Sequence, residues 1–208
     1  MYSDVFLYDA TPFEMNSPFE TMARMRSQKE FMVNVSKTMK NIRVGLVIIS
    51  GASHVEIEMD YYENNKAKID KFVREFKWGN KWTGVGVALY KARKMLEAEQ
   101  TKEKIVILIS DGDSDQCDQW DYYEDCPQWK KDEIAKHDMV EEADEIRRQG
   151  IRIIYVLVSW LYYTNPAAKG RADAVAGGLE NMVSIKNFHA FDTSTLENVV
   201  MSICKTEI

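Results

Sequence analysis

One stretch constrains the fold of this chain more than any other. Residues 105–109 read Ile-Val-Ile-Leu-Ile and are followed at once by Ser110, Asp111 and Gly112. Four of the five apolar residues are β-branched, which is typical of a strand buried on both faces of a parallel sheet. Ligands of open α/β folds bind beyond the carboxyl ends of such strands. An acid there is unfavourable for packing but suited to holding a cation, so Asp111 is the first candidate functional residue.

Strand and helix patterns alternate along the rest of the chain. Strands are predicted at residues 4–8, 43–49, 54–59, 105–109, 151–158 and 187–191. Helices are predicted at residues 18–39, 66–76, 85–96, 132–148 and 172–179, with a last helix that is capped by Thr193 or Ser194 and reaches residue 203. The alternation predicts a doubly wound α/β fold, with a mostly parallel six-stranded sheet and helices on both faces.

One pair of strands departs from the parallel arrangement. Only residues 50–53 separate strands 43–49 and 54–59, which is too short for a crossover helix, so the two are predicted to form an antiparallel hairpin. In the second strand, apolar residues alternate with Glu56 and Glu58, as expected of an edge strand with one solvent-facing side. The apolar residues of this pattern are Val55, Ile57 and Met59.

Length and charge limit the function classes. The 208 residues contain no repeat or linker and are predicted to form a single domain over residues 1–208. Lys and Arg total 27 against 33 Asp and Glu, which argues against nucleic acid as a partner because phosphate binding needs a basic face. No apolar run approaches the ~20 residues of a membrane span. Residues 113–131 form an acidic and aromatic insertion, longer than ordinary α/β connections.

Four oxygen-bearing side chains are predicted to meet at the carboxyl edge of the sheet. Asp9 and Thr11 follow the first strand, Thr83 precedes the helix at 85–96, and Asp111 follows the buried strand. Hard cations such as Mg²⁺ prefer such ligands, whereas the lack of His and Cys disfavours zinc and copper. The alternative interpretation is that these residues are helix caps and turn formers.

These residues resemble the motif of the von Willebrand factor A domain family, which includes the integrin inserted domains. That family carries Asp-x-Ser-x-Ser after the first strand, a Thr before the third helix and an Asp-Gly after an apolar strand, together forming a metal-ion-dependent adhesion site. Asp9 matches the first Asp, and Thr11 replaces the first Ser while keeping its hydroxyl. Thr83 matches the family Thr, and Asp111 with Gly112 matches the Asp-Gly pair. The resemblance covers nearly the whole chain.

The resemblance implies a function and also a departure from it. Thr11 and Thr83 would bind Mg²⁺, or else Mn²⁺ or Ca²⁺, directly, and Asp9 and Asp111 would act mostly through water. An acidic side chain of a protein partner would complete the coordination, in a domain of a larger, extracellular or secreted protein. Phe13 stands where the family has its second Ser, so one direct ligand is lost unless Glu14 or water replaces it.

Two other functions remain open from the sequence. Phe13 favours a metal-free structural or scaffold domain. A haloacid-dehalogenase-like Mg²⁺-dependent phosphatase would use Asp9 as nucleophile, but Thr11 occupies the position of that family's second Asp, so we expect no enzyme. Cys117 and Cys126 flank a polar loop within the insertion and are either bridged or two reduced thiols.

Overall fold

The structure is a computed structural model. It describes residues 2–9, 18–39, 41–49, 53–75, 84–110, 128, 132, 136–158, 166–185 and 193–204, and for residues 2, 8, 9, 18–25 and 73 only the backbone.

The described residues form a six-stranded sheet with helices on both faces. The strands are β1 (Tyr2–Asp9), β2 (Ile42–Ile49), β3 (His54–Tyr61), β4 (Glu103–Ser110), β5 (Arg152–Val158) and β6 (Met182–Ile185). The helices are α1 (Pro18–Thr38), α2 (Tyr62–Arg74), α3 (Val85–Glu97), α4 (Met139–Arg148), α5 (Pro166–Ala176) and α6 (Thr193–Cys204), with a 3₁₀ turn at Leu179–Asn181. The strand order is β3-β2-β1-β4-β5-β6, and every pair is parallel except β2 with β3. The predicted fold class is confirmed.

Strand β4 supplies both hydrophobic cores, as its sequence predicted. Ile105, Ile107 and Ile109 belong to the core that contains residues of α1, α2 and α6. Val106 and Leu108 belong to the opposite core, with residues of α3, α4 and α5. All five side chains are fully buried, and burial of each contributes about 1.5–3 kcal/mol. The strand is therefore held by helices on both faces.

The apolar face of α3 also follows the predicted spacing. Each of the six predicted core positions is buried, namely Val85, Ala88, Leu89, Ala92, Met95 and Leu96. Because residues three and four apart share one face of a helix, this face seats α3 against β1 and β2. The packing directs the start of α3 toward the hairpin that joins β2 to β3.

A buried lysine joins α1 to the end of α2. Lys29 is 2% exposed, and its ammonium group donates to the carbonyl oxygens of Phe72 at 2.6 Å and Glu75 at 2.7 Å. These carbonyls belong to the last turn of α2 and the residue that follows it, where a helix carries partial negative charge. The ammonium group thus supplies a donor to two carbonyl oxygens at the carboxyl end of α2.

Strand β3 is less regular than its alternating sequence predicted. Its pairing with β2 shifts register twice, between Val44 and Leu46 and again between Leu46 and Val47. Each shift inserts an extra residue in β3, and an extra residue turns the following side chains to the other face. Ile57 consequently packs in the α1–α2 core, whereas the apolar residues on either side of it pack on the α3 core. The prediction of one solvent-facing side was wrong.

The remaining differences concern element bounds. The described sixth strand is Met182–Ile185, whereas the predicted strand at 187–191 lies outside the described residues. Helix α5 begins at Pro166, six residues before the predicted start at 172, and α2 begins four residues before its predicted start at 66. None of the described helices is both long and apolar enough to cross a membrane.

Candidate functional site

The chain reverses its direction of winding between β1 and β4. From β1 it proceeds outward through β2 to β3, and then returns to β4 on the other side of β1. The two strands are parallel neighbours, with Tyr8 aligned to Ile109, so they end side by side at Asp9 and Ser110. The helices that follow them lie on opposite faces, α1 on one and α4 on the other. Such a reversal opens a crevice at the carboxyl edge, where ligands of open α/β sheets bind.

The structure describes only a small part of the predicted site. The backbone of Asp9 ends β1, and its side chain lies outside the described part of the chain. Thr11, Thr83 and Asp111 also lie outside the described residues, and so does Phe13. Their neighbours in the chain are described, however. Asp111 follows Ser110, which is fully buried, and Thr83 precedes Gly84 at the start of α3. The insertion and its two cysteines lie outside the described residues, except for residue 128.

The start of α3 is held by the hairpin turn. The Ser53 hydroxyl donates to the carbonyl oxygen of Gly84 at 2.8 Å, and Ser53 is 1% exposed. The same carbonyl accepts the first helical hydrogen bond, from the amide of Ala88 at 3.1 Å. The sequence predicts only a turn at residues 50–53, because the partner of Ser53 is distant along the chain. Its positive φ of 25° marks a constrained backbone, a signal that the sequence does not carry.

The first turn of α3 also touches the segment that returns from the insertion. A Cβ placed on Gly86 would lie 1.7 Å from the carbonyl oxygen of His137, so only glycine allows this approach. His137 is itself fixed, because its Nδ1 lies 2.9 Å from Glu142 Oε1 and its ring stacks on Tyr90 at 4.2 Å between centroids. Arg93 pairs with the other oxygen of Glu142 at 3.0 Å. The hairpin turn at Ser53 and the segment at His137 therefore both contact the first turn of α3.

A divalent oxygen-seeking cation matches the donors of the sequence-predicted site. Two carboxylates and two hydroxyls are hard ligands, which Mg²⁺ prefers. Within the described ranges, no three His, Cys, Asp or Glu side chains are grouped so that they could hold one metal ion. Cys204, the one cysteine in those ranges, is an exposed free thiol.

A second acid of β1 lies away from this edge, in the sheet interior. Asp4 is fully buried between Val44 of β2 and Ile105 of β4, and neither carboxyl oxygen has a hydrogen-bond partner among the described residues. Burial raises the pKa of Asp4 from 3.8 to about 8, and the positive charge of Arg152 lowers it only in part. Arg152 meanwhile donates to the carbonyl oxygen of Ile203 at 3.1 Å, at the end of α6. A pKa of about 8 leaves Asp4 mostly protonated at pH 7.

Comparison with known proteins decides the family. The profile of the von Willebrand factor type A domain matches residues 17–202. This chain belongs to the von Willebrand factor type A (vWA) domain family. No curated protein matches this vWA domain. The match confirms the resemblance to this family that the sequence analysis proposed.

Solved structures share the fold of this vWA domain. Proximal thread matrix protein 1 of the mussel byssus has 18% identity and a TM-score of 0.72, over 98% of this chain and 46% of that one. A structure of the same mussel protein has zinc in its metal-ion-dependent adhesion site (MIDAS) motif. The vWF domain of the pili tip protein Mfa5 of Porphyromonas gingivalis has 10% identity and a TM-score of 0.72, over 99% and 95% of the two chains. The pilus adhesin SpaC of Lactobacillus rhamnosus GG has 15% identity and a TM-score of 0.67, over 98% and 30%.

Similarity at these low identities establishes a shared fold. The vWA domain spans less than half the length of the mussel protein and of the Lactobacillus adhesin. Three of the similar structures belong to matrix or pilus proteins, and what this vWA domain shares with them is its fold.

Proposed function

We propose that this vWA domain is a non-enzymatic protein-binding domain that holds a divalent cation at the carboxyl edge of its sheet. Asp9, Thr11, Thr83 and Asp111 hold the ion, and a protein partner completes the site with an acidic side chain. The observation that carries the proposal is the reversal of winding between β1 and β4. Asp9 ends one of these strands and Asp111 directly follows the other in the sequence, which supports a role for both acids at the crevice where this fold class binds ligands.

The hydroxyl and carboxylate side chains of the four residues have different roles toward the ion. The hydroxyls of Thr11 and Thr83 are neutral oxygen ligands, suited to direct coordination of Mg²⁺, Mn²⁺ or Ca²⁺. The carboxylates of Asp9 and Asp111 neutralise the ion's charge mostly through bound water. Because Phe13 supplies no oxygen, this domain offers fewer direct ligands than the family motif. When bound, the cation supplies a positive centre that attracts a carboxylate of the partner.

The acidic and aromatic insertion at residues 113–131 takes part in recognition of the protein partner under the same proposal. It follows Asp111 directly in the sequence and returns at His137, which touches the first turn of α3. Tyr and Trp side chains, which the insertion contains, bury large areas at interfaces while keeping a polar group. The insertion thus forms part of the surface that selects the partner. The matrix and pilus proteins that share the fold support a place outside the cell, within a larger protein.

A metal-free scaffold domain is the second candidate function, and Phe13 favours it. Loss of one direct ligand weakens cation binding, because the site has few direct ligands. In that case partners bind to surfaces away from the crevice, and the retained acids serve as caps and turns. The phosphatase alternative has less support, since Thr11 leaves Asp9 without a general acid two residues on.

Binding of Mn²⁺, followed by the electron paramagnetic resonance signal of the free ion, tests the proposal. We expect one saturable site that Mg²⁺ competes for. The substitution Asp111→Ala should weaken Mn²⁺ binding about tenfold or more, as loss of an outer-sphere partner typically does. Asp132→Ala removes an exposed acid outside the predicted motif and serves as the matched control. A free-ion signal unchanged by millimolar wild-type protein would leave the metal-free scaffold as the function.

A further inference from the structure

A row of four residues crosses the sheet near the amino ends of its strands, at the end opposite the crevice. Asp4 of β1 lies between Val44 of β2 and Ile105 of β4, and Ile105 pairs in turn with Arg152 of β5. Residues paired in this way point to the same face of a parallel sheet. Val44 and Ile105 belong to the core that contains residues of α1, α2 and α6, so Asp4 and Arg152 face the same helices. Two strand spacings, about 10 Å, separate their backbones, a distance that the long arginine side chain can cover.

Arg152 caps the carboxyl end of α6 in the present arrangement. Its guanidinium group donates to the carbonyl oxygens of Ser202 and Ile203, the latter at 3.1 Å. Both residues belong to the last turn of α6, where carbonyl oxygens have no donor within the helix. Neither oxygen of the fully buried Asp4 carboxyl has a hydrogen-bond partner among the described residues, so the guanidinium group must move in order to bond it.

Arg152 is also the cation that can respond to a charge on Asp4. Burial raises the pKa of Asp4 to about 8, and the positive charge of Arg152 opposes this rise. The helices on this face bring two other buried titratable groups, the Tyr62 phenol and the Lys29 ammonium, which is bonded at the end of α2. Asp70 of α2 and Glu103 of β4 are half-buried, and the other titratable side chains described on these helices are exposed.

We propose that Asp4 and the carboxyl end of α6 compete for Arg152. While Asp4 is protonated, the guanidinium group caps α6. When Asp4 loses its proton in alkaline solution, the guanidinium group moves to the carboxylate and releases the last turn of α6. The competition takes place at the end of the sheet opposite the proposed cation site and does not depend on metal binding.

The two partners of Arg152 differ in what each loses without it. A carboxylate that is buried without a partner is strongly unfavourable, and its hydrogen bond to a guanidinium group is charge-assisted. The carbonyl oxygens at a helix end can bond to water instead, and α6 ends at Cys204, which is exposed. Ionisation therefore makes Asp4 the stronger partner.

Carbon-13 NMR of the folded protein tests the proposal, from about pH 6 to about pH 9.5, on either side of the pKa of about 8. We expect the carbonyl carbons of Ser202 and Ile203 to shift with the same midpoint as the side-chain carboxyl carbon of Asp4. The helical Cα shifts of the last turn of α6 should be lost over the same range. These signals come from the folded state, so a fall in stability does not mimic the effect.

Two controls isolate the role of Asp4. In Asp4→Asn the signals of Ser202 and Ile203 should not shift, because the variant keeps every other titrating group and lacks only this one. The end of α5 is a control in the same sample, since Arg147 donates to the carbonyl oxygens of Val175 and Ala174 and pairs with an exposed acid, Asp144. The carbonyl carbons at the end of α5 should therefore not shift.

Several results would overturn the competition. One is an Asp4 carboxyl signal that titrates while the carbonyl signals of Ser202 and Ile203 stay fixed. Another is an equal shift of these carbonyls in wild type and Asp4→Asn, or a shift of the ends of α5 and α6 alike. An Asp4 signal that does not titrate in this range would also overturn it, because no carboxylate then forms to attract Arg152.

Discussion

Replacing Gly86 with alanine should destabilise the domain by about 3 kcal/mol, at the upper end of the usual cost of overpacking. The added Cβ would lie 1.7 Å from the carbonyl oxygen of His137 and 2.8 Å from its carbonyl carbon. Both are backbone atoms, which cannot rotate away as a side chain can. The segment that carries them is also held in place, since Glu142 bonds the His137 ring and Tyr90 stacks on it. Relief therefore requires α3 to move away from the start of α4.

Urea unfolding of Gly86→Ala beside Gly170→Ala measures this effect. Gly170 lies within α5, and a methyl group added there would meet no described atom within 4 Å, so alanine should stabilise by about 0.5–1 kcal/mol through helix propensity. The two glycines thus differ in their surroundings and share a helical backbone. Equal stabilisation of both variants would show that α3 does not approach His137 closely.

The second large effect is a pH dependence that originates at Asp4. Its pKa is raised to about 8 in the folded protein against 3.8 for an unperturbed aspartate, so between these values the folded state keeps a proton that the unfolded state has lost. The contribution of Asp4 to the unfolding free energy is then greatest at low pH and falls by about 1.4 kcal/mol per pH unit as the pH rises through this window. Asn mimics the neutral acid and does not titrate, so Asp4→Asn should lack this component.

The difference between wild type and Asp4→Asn isolates the effect, because other titrating groups cancel. From pH 5 to pH 7 the unfolding free energy of wild type should fall by about 3 kcal/mol relative to the variant. Urea unfolding at each pH supplies the values. Asp132→Asn, at an exposed site, controls for the loss of one negative charge. Parallel curves for wild type and Asp4→Asn would contradict a raised pKa at Asp4.

Periodicity predicted the parts of the fold that depend on local sequence. The β-branched run of β4 identified a strand buried on both faces, and the spacing of apolar residues in α3 identified its packed face. Chain order then predicted that Asp9 and Asp111 follow neighbouring strands, which the pairing of β1 with β4 bears out for the strands themselves. These features follow from residue type and position alone.

Long-range contacts could not be predicted in this way. The bond from Ser53 to Gly84 and the approach of Gly86 to His137 join segments whose proximity only the folded chain creates. The burial of Lys29 against the end of α2 is of the same kind. The register shifts of β3 reverse its faces, and the only mark in the sequence is Gly45 of β2, which lies opposite the first shift. Asp4 begins the predicted strand at residues 4–8, but its burial, with no hydrogen-bond partner among the described residues, depends on the packing of the folded chain.

Anomalous diffraction from crystals soaked in Mn²⁺ tests the proposed cation site, because it locates the ion. We expect one peak at the carboxyl edge of the sheet, beyond the ends of β1 and β4, within coordination distance of the hydroxyls of Thr11 and Thr83. Asp9 and Asp111 should flank that peak through ordered water. A peak elsewhere on the domain, or none at concentrations that saturate Mn²⁺ binding in solution, would contradict the proposed cation site.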